Sequence, residues 1–305
     1  MSSIKCIFCL EEKEKGSKEH IFPDSLGGLL ITNDVCKACN DKLGEKVDVH
    51  LVNHELMQFA RFTKGLKGKK GKLPNPIGIG KYKDEPETTL HYKFTNDGKP
   101  ASLYVVPRVK VEGNEYKVTV DKSEPDRLVK SVNKILVRNG HEPMTKDEIL
   151  SNAKYIKTAN PTMEVKMSVD MSSYKKAIIK IIYEMTYYWL GERYLNDAMA
   201  IKIRDYILSD VLEVDGLFGK VDLVGEKKDG LAILADSDAH IVVLKKDGNR
   251  LSCYVNIFNN FYGCLIVTEQ AELYPNIEDL FLVNDVKKKE IRESTLIEEI
   301  VKISK

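Results

Sequence analysis

Ser17-Lys18-Glu19-His20-Ile21-Phe22-Pro23-Asp24-Ser25-Leu26-Gly27-Gly28 lies between two short cysteine pairs, Cys6-Ile7-Phe8-Cys9 and Cys36-Lys37-Ala38-Cys39, the second followed at once by Asn40. The pairs are 26 residues apart. Each Cys-x-x-Cys closes a small loop, and two such loops can present four thiolates to one tetrahedral Zn²⁺ at about 2.3 Å. The segment is turn-rich and poor in long apolar periodicity, so it cannot build much of a core. Zinc binding would contribute the stability that burial does not. Cys6, Cys9, Cys36 and Cys39 are therefore expected to hold a structural zinc. Cys253 and Cys264 fall in apolar, strand-like sequence and are read as core residues.

The residues between the pairs carry chemistry of their own. Hydrolysis of a phosphodiester needs an activated water, neutralised phosphate charge and help for the leaving oxygen. An imidazole can take a proton from water near neutral pH. Hard cations such as Mg²⁺ prefer oxygen ligands, of which Glu19 offers a carboxylate and Asn40 an amide. Adjacent strand residues point to opposite faces. Glu19 and His20 can thus serve one site only if the strand twists or bulges there, or if the hairpin curls over a helix.

An acidic residue before His, two apolar residues and Pro, a Gly-Gly turn, and then Cys-x-x-Cys-Asn is a pattern that resembles the HNH endonucleases. The resemblance covers residues 6 to about 50. It implies a zinc-bound ββα-metal module of treble-clef-like form at the N-terminus; the remainder reads from its own patterning as a mixed α+β domain, so the fold class expected is α+β. It implies His20 as general base, Glu19 and Asn40 as ligands of a catalytic Mg²⁺ or Mn²⁺, and Asn33 as the middle Asn that braces loop and base. Many members carry a His one helical turn after the Asn position. Here that position is Gly44, with Asp48 one turn further, and Asp48 is read as a solvated helix charge. His50 and His54, also one turn apart, are read as ordinary surface or packing residues.

Over its full length, the 305-residue chain has 47 Lys+Arg against 46 Asp+Glu, a formal net charge of +1. That excludes a uniformly basic coat or an acidic disordered tail. Residues 1–82 nevertheless carry 14 basic and 10 acidic residues. The run 61–72 holds six positive charges and no acid. Arg61, Lys64, Lys67, Lys69, Lys70 and Lys72 are the expected phosphate contacts, giving salt-sensitive affinity without sequence preference. DNA is the expected partner, with RNA left open. No apolar run is long enough to span a bilayer, and the first residues lack a signal-peptide pattern. No membrane association and a cytoplasmic location are expected.

These features divide the chain into a module at 1–60, a basic Gly/Pro-containing linker at 61–82, and an α+β domain at 83–305. In the last, helices are expected at Glu124–Val137, Lys146–Lys154, Ser173–Tyr194, Ala198–Leu212 and Leu296–Ile303. Strands are expected at His91–Phe94, Leu103–Val111, Tyr116–Val120, Thr162–Val169, Leu231–Leu234, Ile241–Leu244 and Leu251–Thr268. Lys246-Asp247-Gly248-Asn249 is a hairpin turn. Tyr183, Tyr187, Tyr188, Trp189 and Tyr194 have helical spacing and are read as core rather than as a base-stacking platform. This domain shows no catalytic signature. Target recognition, assembly into a homo-oligomer and partner binding are its open roles. The expected function is metal-dependent DNA hydrolysis. The alternatives are a non-catalytic zinc module that binds nucleic acid, and a defence- or toxin-type nuclease controlled by the C-terminal domain.

Overall fold

The cysteine pairs set the first elements. In the computed structural model, which describes residues 3–113, 115–212, 217, 219–223 and 237–303, Cys6 and Cys9 occupy the turn between strands β1 (Ile4–Lys5) and β2 (Glu12–Lys13). Leu10 has a φ of 60°, which lets the chain reverse under the sulfurs, and its N–H donates to Cys6 O at 2.8 Å. Strands β3 (Ser17–His20) and β4 (Ile31–Val35) then form an antiparallel pair. Ser17 faces Val35 while Glu19 faces Thr32, so β4 carries one extra residue in a bulge. Helix α1 (Lys37–Leu43) starts at the second cysteine pair and passes through one π turn, Gly44–Asp48, into α2 (Val49–Val52). Asn53 ends the run. Helix α3 (Glu55–Thr63) follows, capped by His54, whose Nδ1 accepts from Leu56 N–H at 3.3 Å.

Residues 75–167 form a compact unit of their own. It contains β5 (Ile79–Tyr82), β6 (Thr89–Phe94), β7 (Pro100–Val105), β8 (Arg108–Glu112), β9 (Glu115–Thr119), α4 (Pro125–Arg138), α5 (Lys146–Ser151) and β10 (Met163–Glu164). An antiparallel sheet runs β10-β5-β6-β7, and β8-β9 is a separate hairpin. The strand expected over Leu103–Val111 divides in two around Val106 and Pro107, because proline brings no N–H to a ladder. The strand expected over Thr162–Val169 is limited to Met163–Glu164. Helix α5 is capped by Thr145, closed into a capping box with Glu148.

Residues 1–74 and 168–305 make the other compact unit. Its second part holds α6 (Lys175–Leu190), α7 (Ala198–Leu208), β11 (Gly219–Leu223), β12 (Ala239–Asp247), β13 (Arg250–Ile257), β14 (Phe261–Thr268), β15 (Leu280–Asp285), β16 (Glu290–Ser294) and α8 (Leu296–Ile303). The six strands form one antiparallel sheet in the order β11-β14-β13-β12-β15-β16. Asp247 pairs with Arg250, and Gly248 turns the hairpin with a φ of 58°. The expected strand Leu231–Leu234 lies outside the described residues. Helix α7 stops at Leu208, short of the expected Leu212.

Helix α6 is the centre of this unit. Every residue from Lys176 to Thr186 is buried, which is the signature of a helix covered on all sides. One contiguous core joins Ile7, Phe8, Ile21, Phe22 and Leu26 of the N-terminal segment to Ile178 and Ile182 of α6 and to Val255 and Phe261 of the sheet. The units therefore differ from the expected segments 1–60, 61–82 and 83–305. The N-terminal segment shares its core with residues far along the chain, and residues 61–74 belong to that same unit. Tyr183 and Tyr194 are core, as expected, whereas Tyr188 is exposed and donates its hydroxyl to Glu293. Cys253 is fully buried between sheet and helix. No helix among the described residues is long and apolar enough to cross a membrane.

Candidate functional site

The four expected cysteines converge. Their sulfurs all lie within 4.8 Å of one another, and among the described residues this is the only cluster of metal-ligating side chains. Cys9 Sγ and Cys36 Sγ are 3.9 Å apart, close to the edge of about 3.8 Å that tetrahedral Zn–S bonds of about 2.3 Å require. The Cys36 N–H donates to Cys6 Sγ at 3.3 Å, and Ile7 N–H donates to Asp34 O at 2.9 Å. These bonds fix one pair against the other. Burial pushes the Cys9 and Cys39 thiols up, so a cation is needed to hold them as thiolates. The residues fit a structural zinc.

β3, β4 and α1 form the ββα arrangement that the resemblance implies. Asn40, immediately after the zinc-type cysteines, donates its amide nitrogen to Ser17 Oγ at 3.0 Å and Lys18 O at 2.8 Å. It pins the His20-bearing strand to the helix. Between the strands, Gly27 turns with a φ of 80°. A Cβ on Gly28 would sit 1.8 Å from Phe22 O, so this Gly-Gly turn admits no side chain. His20 is half-buried, and its imidazole has no hydrogen-bond partner among the described residues. Asn33 is exposed in the β4 bulge, and its side chain has no such partner either. The bracing expected of Asn33 is not present, and Asn40 takes that part.

Glu19 departs from expectation. Strand alternation turns it away from His20 and into the interior, where it is 3 % exposed. Lys180 of α6 donates to Glu19 Oε1, to Asp48 Oδ1 and Oδ2 at 3.2 and 3.1 Å, and to His20 O at 3.3 Å. Glu184, one turn along α6, comes to 3.5 Å. Burial alone would lower the Lys180 pKa, but the carboxylates of Asp48, Glu184 and Glu19 outweigh it and hold the ammonium above its ordinary value. Burial raises the carboxyls of Asp48 and, more strongly, Glu184. The bulge and hairpin do not bring Glu19 and His20 to one open site. The expected divalent-cation pair of Glu19 and Asn40 does not fit, since Lys180 already holds the carboxylate. Asp48, expected as a solvated charge, is drawn inward by the π turn.

Lys180 and Glu184 are the site residues that sequence reading missed. The signal was present: a Lys and a Glu one turn apart in a helix apolar on every side must be buried, and buried charges need partners.

The basic run divides. Arg61 is 5 % exposed and donates to Ser25 O at 3.0 Å and Val52 O at 3.4 Å. Lys64 pairs with Asp238 at 2.6 Å and lies 5.0 Å from the Phe258 ring centroid. Both expected phosphate contacts are thus spent inside the fold. Lys67, Lys69, Lys70 and Lys72 are exposed, and Lys69 lies near enough to act on the Asp48 carboxylate. His50 is exposed, and His54 is a buried cap whose Nε2 meets Asp170 O at 2.9 Å.

No curated protein and no solved structure matches the chain. Residues 6–56, the segment that carries the four cysteines, match the family model described as HNH endonuclease, which points to nuclease activity in general.

Proposed function

We propose that the protein hydrolyses phosphodiester bonds of nucleic acid, DNA first, with His20 as general base in a module held together by zinc at Cys6, Cys9, Cys36 and Cys39. The observation that carries this reading is the position of His20 on a strand pinned by Asn40 to the zinc-site helix, with its imidazole free of protein partners among the described residues. An imidazole so placed can accept the proton of an attacking water as its oxygen closes on phosphorus. Zinc at the four cysteines supplies rigidity. The exposed lysines 67, 69, 70 and 72 supply attraction to the phosphate backbone.

A second reading, a zinc module that binds nucleic acid without cutting it, is favoured by the engagement of Glu19 with Lys180. Plasmid cleavage in Mg²⁺ or Mn²⁺, comparing wild type with His20→Ala, separates the two. Cleavage by wild type and its loss in the variant is the expected result. If neither protein cuts while both shift DNA in a gel, the binding module is correct. Equal cutting by both removes His20 from its role.

A further inference from the structure

The side chain of Lys180 is wholly buried, and the adjacent Ile179 and Ile181 are buried too. Around its ammonium stand Glu19 Oε1, both Asp48 oxygens at 3.2 and 3.1 Å, Glu184 Oε2 at 3.5 Å and the His20 carbonyl at 3.3 Å. Three carboxylates and a carbonyl from β3, the π turn and α6 surround the ammonium with oxygen, the donor type that hard cations also prefer. Here the chain provides the positive centre itself. Removing one partner of a buried ion pair is strongly destabilising, because the other charge is left uncompensated. A divalent ion placed among the same oxygens would lie within a few ångströms of the ammonium, and like charges in a poorly solvated site repel strongly. Ammonium and divalent metal therefore exclude each other. Lys180 cannot swing into solvent to make room, since its stem is enclosed by the core that joins α6 to the N-terminal segment.

We propose that Lys180 is the resident cation of the Glu19 and Asp48 carboxylates, standing where a divalent metal would otherwise bind and making Glu19 a tether to α6 rather than a metal ligand. The inference rests on reading residues 6–56 as an HNH module. Any divalent cation that serves His20 is then held by oxygen donors other than Glu19.

The test uses the full zinc-loaded chain and Mn²⁺ as the probe, with free Mn²⁺ counted by its paramagnetic resonance signal. Wild type and Glu19→Gln are expected to give the same binding curve. An Mn²⁺ bound by wild type and lost in Glu19→Gln overturns the proposal, and Asp48→Asn repeats the comparison at the second carboxylate. In thermal melts, Mn²⁺ is expected to raise the midpoint of Lys180→Ala by more than it raises that of wild type. A Lys180→Ala midpoint that moves with Mn²⁺ no more than that of wild type also overturns it. Should Lys180→Ala fail to fold, the Glu19→Gln comparison decides alone. Neither readout involves cleavage, so this proposal and the nuclease reading can fail separately.

Discussion

His240 predicts an acid weakness in the contact that holds the Gly-Gly turn to the sheet. It is the second residue of β12, is fully buried, stacks on Phe22 at 5.0 Å and packs on Phe258 at 4.3 Å between ring centroids. Its Nε2 meets Leu26 O at 2.9 Å, just before Gly27. Burial, reinforced by Lys64 and only partly offset by the Leu26 carbonyl, lowers the imidazole from 6.5 to about 4. The sign follows from proton counting. Between these values the unfolded chain binds a proton that the folded chain refuses, so stability rises with pH and is lost as pH falls through the window. The full gap corresponds to about 3 kcal/mol, at about 1.36 kcal/mol per pH unit. Between pH 7.5 and 5.5 the expected loss from this group is about 1.3 kcal/mol. The assay is urea unfolding of zinc-loaded wild type and His240→Phe at both pH values. The variant has lower stability at pH 7.5, because it lacks the Leu26 bond, but it should lose less on acidification. Parallel losses in the two proteins would refute the assignment.

Two further expectations are direct. The purified chain should hold about one zinc, and Cys36→Ser should lose both the metal and the folding of the N-terminal segment, read by elemental analysis and circular dichroism; a metal-free, folded segment would end the zinc assignment. Changing Lys67, Lys69, Lys70 and Lys72 to Gln should weaken DNA binding and flatten its salt dependence by about 0.9 in log–log slope per phosphate contact removed, whereas an unchanged slope would place the DNA elsewhere.

What could be read from the sequence is what local spacing determines. The cysteine pairs, the Gly-Gly turn, the Gly248 hairpin and the Thr145 cap each depend on residues a few positions apart. The helix around Ile178 and Ile182 is legible as a helix, but its burial from Lys176 to Thr186 on every side comes from elements far along the chain. The misreadings share one physical cause, which is a partner far along the chain. Arg61 looked like part of a basic run until Ser25 O and Val52 O took its donors. Lys64 met Asp238, 174 positions away. Glu19 matched a ligand position by motif, yet Lys180, 161 positions away, decides its chemistry. A charge pattern on a single chain reports the side chains present and not the interior that receives them.

The same long-range packing bears on where the chain can be divided. The N-terminal segment depends on residues beyond 168. Tyr183 donates to Ile7 O at 2.6 Å, and Asn284 accepts from Leu29 N–H at 2.8 Å and donates to Gly27 O at 3.0 Å. These bonds, with Lys180 and His240, are each worth about 1 kcal/mol or more, and most lie in an apolar core. A piece covering residues 1–60 should therefore not hold the fold seen here, even with zinc. Residues 75–167 stand differently, as a separate compact unit inserted in the chain. Their entry strand β5 and exit strand β10 run side by side, with Tyr82 opposite Met163 and Lys81 opposite Glu164, so a short linker can bridge the excision as it does at other inserted domains. Replacing residues 75–167 with a Gly/Ser linker should leave zinc content and the cooperative melt of the remaining unit in place. If the excised chain unfolds while the 1–60 piece folds with zinc, the N-terminal segment owes its fold to the metal alone and the shared core around α6 is dispensable.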